Sequence, residues 1–122
     1  MEIELRTLIK TKVDNVFWGV APRESPFPRV TIQHVSKLYQ NDITNGPFKQ
    51  LQISTVQIDV WALTFEEAVT LAKSIEQLDG YVGASGEVIT NLIFQSKRAD
   101  VDKTTGQDIH RVMFEVAIYH AE

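Results

Sequence analysis

Along residues 2–13, Leu5, Leu8, Ile9 and Val13 recur three or four positions apart, and Val16 continues the stripe. That spacing is one face of a short amphipathic helix. Glu2 and Glu4 come early in it and Lys10 and Lys12 late, an order that suits the helix dipole. Pro22, Pro26 and Pro28 then forbid helix and impose an extended or turning path. Residues 29–36 alternate, Val30 and Ile32 against Thr31 and Gln33, as a half-buried strand does. His34 shares the Val30/Ile32 face, which predicts a partly buried imidazole. Residues 37–50 break the pattern, with turn chemistry at Asn41-Asp42 and Asn45-Gly46-Pro47.

Alternation then resumes over residues 51–64. Val56, Ile58, Val60 and Ala62 make a uniformly apolar inward face. Leu51, Ile53, Thr55, Gln57, Asp59, Trp61 and Leu63 make a mixed face on the other side. Thr64 to Glu67 spells a capping box, in which the Thr64 hydroxyl accepts from the backbone N–H three residues on. The helix that follows carries Ala68, Leu71, Ala72, Ile75 and Leu78 on one stripe and stops at Gly80 in a left-handed turn. Residues 80–86 are a loop. Residues 87–95 are apolar on both faces, which predicts an interior strand covered on both sides. Residues 99–108 form a polar hairpin loop, and residues 109–120 a last strand with Val112, Phe114, Val116 and Ile118 on one face. The expected order is α-β-β-α-β-β. It describes a single α+β domain over 1–122: a mainly antiparallel sheet of about four strands, two helices against one face, and two long hairpin loops.

Composition narrows the function. Twelve basic residues against sixteen acidic give a net charge of −4, and the basic residues are scattered. Phosphate neutralisation requires clustered Lys and Arg, so nucleic acid is a poor fit. The absence of cysteine removes disulfides, thiolate catalysis and Cys-type zinc sites. The N-terminus mixes charges into its apolar run, unlike a signal peptide, and no stretch approaches the roughly 20 apolar residues of a membrane span.

Candidate chemistry is sparse. Asp59 lies in mid-strand two residues before Trp61, but Glu66 and Glu67 point apart on the next helix and Glu67 has a capping role. His34, His110 and His120 show no metal-ligand spacing. No serine sits in a nucleophile elbow. The glycines of GYVGASG follow a helix rather than opening one, and no lysine accompanies them, so a phosphate loop does not fit. A deep pocket in which two of His34, Asp59 and His110 converge would favour an enzyme or ligand-binding domain. Trp61 is expected in the core under the first helix, or else as an anchor for a protein partner. The two polar loops are long for hairpins, and Ile43 and Phe48 are apolar with no core to join. They are either mobile hairpins or segments that order on a partner.

Three segments together resemble a known family: the proline-rich entry APRESPFPRVTIQHVS, the strand-to-helix run VQIDVWALTFEEAVTLAKSI, and the closing TGQDIHRVMFEVAIYH with Arg111, Phe114, Val116 and Tyr119. They resemble the small tail-completion or tail-terminator proteins of long-tailed bacteriophages, in element order over nearly the whole chain. The resemblance implies a structural virion protein, made in the bacterial host cytoplasm, without catalysis, cofactor or metal. It implies a ring, six copies on the tail, that caps the tail tube and contacts the major tail tube protein and the head-completion or connector protein. Genome DNA would pass through the ring without specific binding, and no membrane is involved. The free protein is expected to be a monomer with weak or no self-association. The implied partner-binding positions are Asn41, Asp42, Ile43, Asn45, Gly46, Pro47 and Phe48 in the first loop, and Asp100, Asp102, Lys103, Thr104 and Gln107 in the second. Asp59 joins them as a polar position at a sheet surface or subunit contact.

Overall fold

The structure, a computed structural model, describes residues 1–22, 25–39, 52–103, 106 and 108–121, with only the backbone of 37–39. Its elements are α1 (Glu2–Lys10), β1 (Val16–Trp18), β2 (Arg29–Tyr39), β3 (Gln52–Ala62), α2 (Phe65–Glu76), β4 (Ile89–Asp102) and β5 (Ile109–His120). The strands form one five-stranded sheet in the order β1-β2-β3-β5-β4. β1 pairs with β2 in parallel and every other pair is antiparallel, so the α+β sheet is mixed.

Alternation decides which face is covered. Val30 and Ile32 of β2 stand opposite Val60 and Ile58 of β3, which in turn oppose Val112 and Phe114 of β5. Leu5 and Ile9 of α1 and Ala68, Leu71, Ala72 and Ile75 of α2 close over these residues in one core. The expected inward set Val56, Ile58, Val60 and Ala62 is buried throughout. Thr64 caps α2 as its spacing predicts, its hydroxyl accepting from the Glu67 N–H at 3.2 Å. Gly80 has φ +79°, the left-handed stop. α1 is also pinned from the side: the Glu4 carboxylate accepts the Val88 N–H at 2.8 Å and the Ile89 N–H at 3.3 Å.

Several expectations need correction. α1 ends at Lys10 rather than continuing to 13, and Val16 belongs to β1, an extra strand before the prolines. Three residues are too few to show an alternation. β2 runs on to Tyr39, past the expected break at 37, because a bulge between His34 and Ser36 resets its phase. The strand expected over 87–95 as an interior strand is instead β4, at the sheet edge, and extends to Asp102. Its two-faced apolar pattern comes from a register shift between Ile89 and Asn91, which lets Ile89 and Leu92 turn to the same core. Ile93 alone of that group faces the open side, 41% exposed. The loop 80–86 is tied to the sheet. Gly80 and Gly83 donate to Leu92 and Thr90, and Leu92 donates to Tyr81, so the segment covers the outer edge of early β4.

Candidate functional site

Both helices lie on one side of the sheet, which leaves the other side open. On it β3 carries Gln57, Asp59 and Trp61, β2 carries Thr31 opposite Asp59, and β5 carries Met113 and Arg111 opposite Asp59 and Trp61. Of these, Gln57, Asp59, Trp61, Thr31 and Arg111 line a shallow concavity of about 280 Å³ together with Gly19, Val20 and Ala21.

Asp59 is 3% exposed although no helix covers it, because its neighbours on three strands wall it in. Gln57 Nε2 donates to both carboxylate oxygens at 3.0 and 3.1 Å. Burial pushes the Asp59 pKa above the usual aspartate range; the Gln57 bonds and the Arg111 charge oppose that rise, and Asp100 adds to it. Trp61 is half-buried on this open face, not under α1, and its Nε1–H donates to Thr31 Oγ1 at 3.1 Å. The Arg111 guanidinium lies 5.1 Å from the Trp61 ring centre and pairs with Asp100 Oδ2 at 3.0 Å. The result is a polar and aromatic tier held by cross-strand contacts.

The histidines do not join it. His34 lies on the helix side, stacked on Trp18 at 5.2 Å and bonded to Glu2 at 3.2 Å; its side chain is more open than expected. His110 lies at the far end of the helix side, edge-on to Phe65. No two of His34, Asp59 and His110 therefore line one pocket, the arrangement that would have favoured an enzyme. His120, read only as a position near the chain end, is buried with its ring nitrogen 2.7 Å from the Ser54 hydroxyl. Its even-numbered alternation with Val116 and Ile118 was the signal for that. Among the described residues no group of three His, Asp or Glu side chains is placed to hold a metal ion.

The first part of the second expected loop, residues 99–102, proves to be strand. Asp100 and Asp102 lie in β4, Asp100 beside Arg111, and Lys103 is exposed just beyond. Thr104 and Gln107 lie outside the described residues, as do Asn41, Asp42, Ile43, Asn45, Gly46, Pro47 and Phe48. Sequence reasoning missed a further surface. Between α2 and late β4 runs an apolar groove of about 320 Å³ lined by Phe65, Val69, Ala99, Val101 and Val112. Phe65 is 64% and Val101 42% exposed there.

The chain is an α+β sheet covered by helices on one side, with a bonded polar tier on the other. A family model described as "Tail completion protein gp17" matches residues 3–121. The chain belongs to this tail completion family and is a structural component of a bacteriophage-type virion. A chain of a solved structure titled "Virion of native gene transfer agent (GTA) particle" shares the fold, with a TM-score of 0.57 and 15% identity over 99% of this chain and 90% of that one. At that identity the likeness shows the fold alone. No curated protein matches the chain.

Proposed function

We propose that the protein caps the tail tube and joins the finished tail to the head connector during particle assembly. The observation that carries this is the family match over residues 3–121, nearly the full chain, on a fold shared with a chain of a virion particle. In this reading copies form a ring, with six as the expected number, on the end of the tail. Each copy contacts the major tail tube protein on one side and a head-completion protein on the other. The open sheet face with Asp59, the Asp100–Lys103 segment and the 41–48 segment supply those contacts. A net charge of −4 lets DNA pass without being gripped.

Deletion of the gene in its parent phage tests the reading. Electron microscopy should show full heads beside unjoined tails of irregular length. Tails of normal length attached to heads would overturn it. Tails of normal length left unattached would instead assign the protein to a neighbouring position in the neck.

A further inference from the structure

The two edges of the sheet are protected very differently. β1 is three residues long, and the outward carbonyl of Val16 accepts from Arg6 Nε at 3.3 Å. Early β4 is covered by residues 80–83, and the Phe94 N–H donates to Asp79 Oδ1 at 3.0 Å. Among the described residues nothing covers late β4 in this way. Leu92 and Phe94 point their N–H groups outward; the register shift between Phe94 and Ser96 changes the phase, so Lys97, Ala99 and Val101 present the outward backbone groups beyond it. Their side chains face the helix side, where the apolar groove along Phe65 and Val69 flanks this open edge. An edge of this kind is a template for strand addition.

The charges along the edge select what adds. On the open face Arg98 and Asp100 flank Ala99, the one small residue among them. Two copies laid antiparallel with Ala99 on the two-fold axis set Arg98 of each against Asp100 of the other. The same register sets Lys97 against Val101 and brings outward groups to face outward groups at 97, 99 and 101, for about six backbone bonds. A shift of centre by one residue either way would set Arg98 on Arg98 or Asp100 on Asp100. We infer that late β4 pairs with late β4 of a second copy of this chain, making a two-fold dimer with one continuous sheet and the two Phe65/Val101 grooves abutting.

This contact consumes its own surface and closes at two copies, so it cannot build a ring; because it uses Asp100 and Val101, a copy held in the dimer cannot at the same time make the tail contacts proposed for 100–103. It changes the free form from a monomer to a monomer–dimer equilibrium. The edge is short, which places the dissociation constant on the order of 10–100 µM.

Sedimentation velocity of the purified chain, from about 1 to 500 µM, tests the pairing in this range. Wild type should show a reversible dimer. R98D and D100R should each weaken it about tenfold or more, because each homodimer would face like charges twice. An equimolar mixture of R98D and D100R should dimerise again, since their charges oppose only in the mixed pair. D100R puts a cation beside Arg111 and can perturb the fold, so A99P serves as a second variant. It alters no charge, removes an outward N–H, spares the β5 ladder and should also weaken the dimer. Circular dichroism confirms that each variant is folded. A wild type that stays monomeric throughout, a dimer indifferent to A99P, or a mixture no tighter than its two components would overturn the inference.

Discussion

Glu4 closes the far end of the core, and its removal should be felt across the fold. Its carboxylate reaches 84 residues along the chain to the N–H groups that open β4. Ile89 is fully buried at that point, so its amide has little other recourse. A charge-assisted bond to a backbone N–H contributes about 1.5–3 kcal/mol. Glu4 is half-exposed, so the short bond to Val88 belongs at the low end of that range, and the 3.3 Å bond to Ile89 adds only a few tenths. Glu4→Ala should therefore cost about 2 kcal/mol. With an unfolding entropy of about 2.1 cal/mol/K per residue over 122 residues, that lowers Tm by about 8 °C. Glu4→Gln keeps one acceptor oxygen and should lose about half as much. Thermal unfolding followed by circular dichroism measures both changes, and hydrogen exchange at Val88 and Ile89 reports the site itself. The exposed Glu66, which makes no such bond, is the control, and its alanine variant should shift Tm by less than about 2 °C. A Glu4→Ala shift as small as that of Glu66→Ala would refute the reasoning.

Gly83→Ala should destabilise by about 2–3 kcal/mol, because the new Cβ would stand 1.8 Å from the Ile89 carbonyl oxygen, a backbone atom that cannot swing away. An unchanged urea midpoint would count against that. Thr64→Ala should cost about 1 kcal/mol through loss of the α2 cap while Thr64→Ser restores most of it, and equal losses in the two variants would argue that the methyl group, not the hydroxyl, matters. For Asp59, burial raises the folded pKa above the unfolded one. The folded state thus holds its proton longer, and the stability present below the unfolded pKa is lost as pH rises through the folded pKa. Asp59→Asn lacks this loss, so its urea midpoint relative to wild type should rise between about pH 3.5 and pH 7. A difference that stays flat or falls over that range would mean that Gln57 and Arg111 outweigh desolvation.

The features that could be read along the chain are those written in short-range periodicity. The inner faces of β3 and β5, the α2 stripe, the Thr64 cap and the Gly80 stop each depend on neighbours within a few residues. The features that were misread depend on register. A bulge inverts every later side chain of its strand, and nothing in an alternating sequence announces one. The register shift at Ile89/Asn91 made an edge strand look interior, and the one at His34/Ser36 hid the last third of β2. β1 was invisible for a different reason: its parallel pairing with β2 is a matter of tertiary placement, over a length too short to carry a pattern.

The candidate surface shows the same division at the level of single residues. Asp59 could be placed on the mixed face of its strand from sequence alone, and the structure keeps it there. What the sequence could not supply was the set of residues that decides its character. Thr31, Trp61, Met113 and Arg111 come from three strands, and only register makes them neighbours. With them Asp59 becomes a buried carboxylate on an uncovered face. Gln57 occupies both of its oxygens, and no histidine stands nearby to divide protons with it. Each oxygen accepts one bond from Gln57 within its own strand, which fixes the orientation of the carboxylate. Its raised pKa is a cost of position that the neighbouring Arg111 only partly offsets. On the contact face proposed for it, such a group contributes selectivity, because a partner that seals the tier without meeting its polar atoms would strand them.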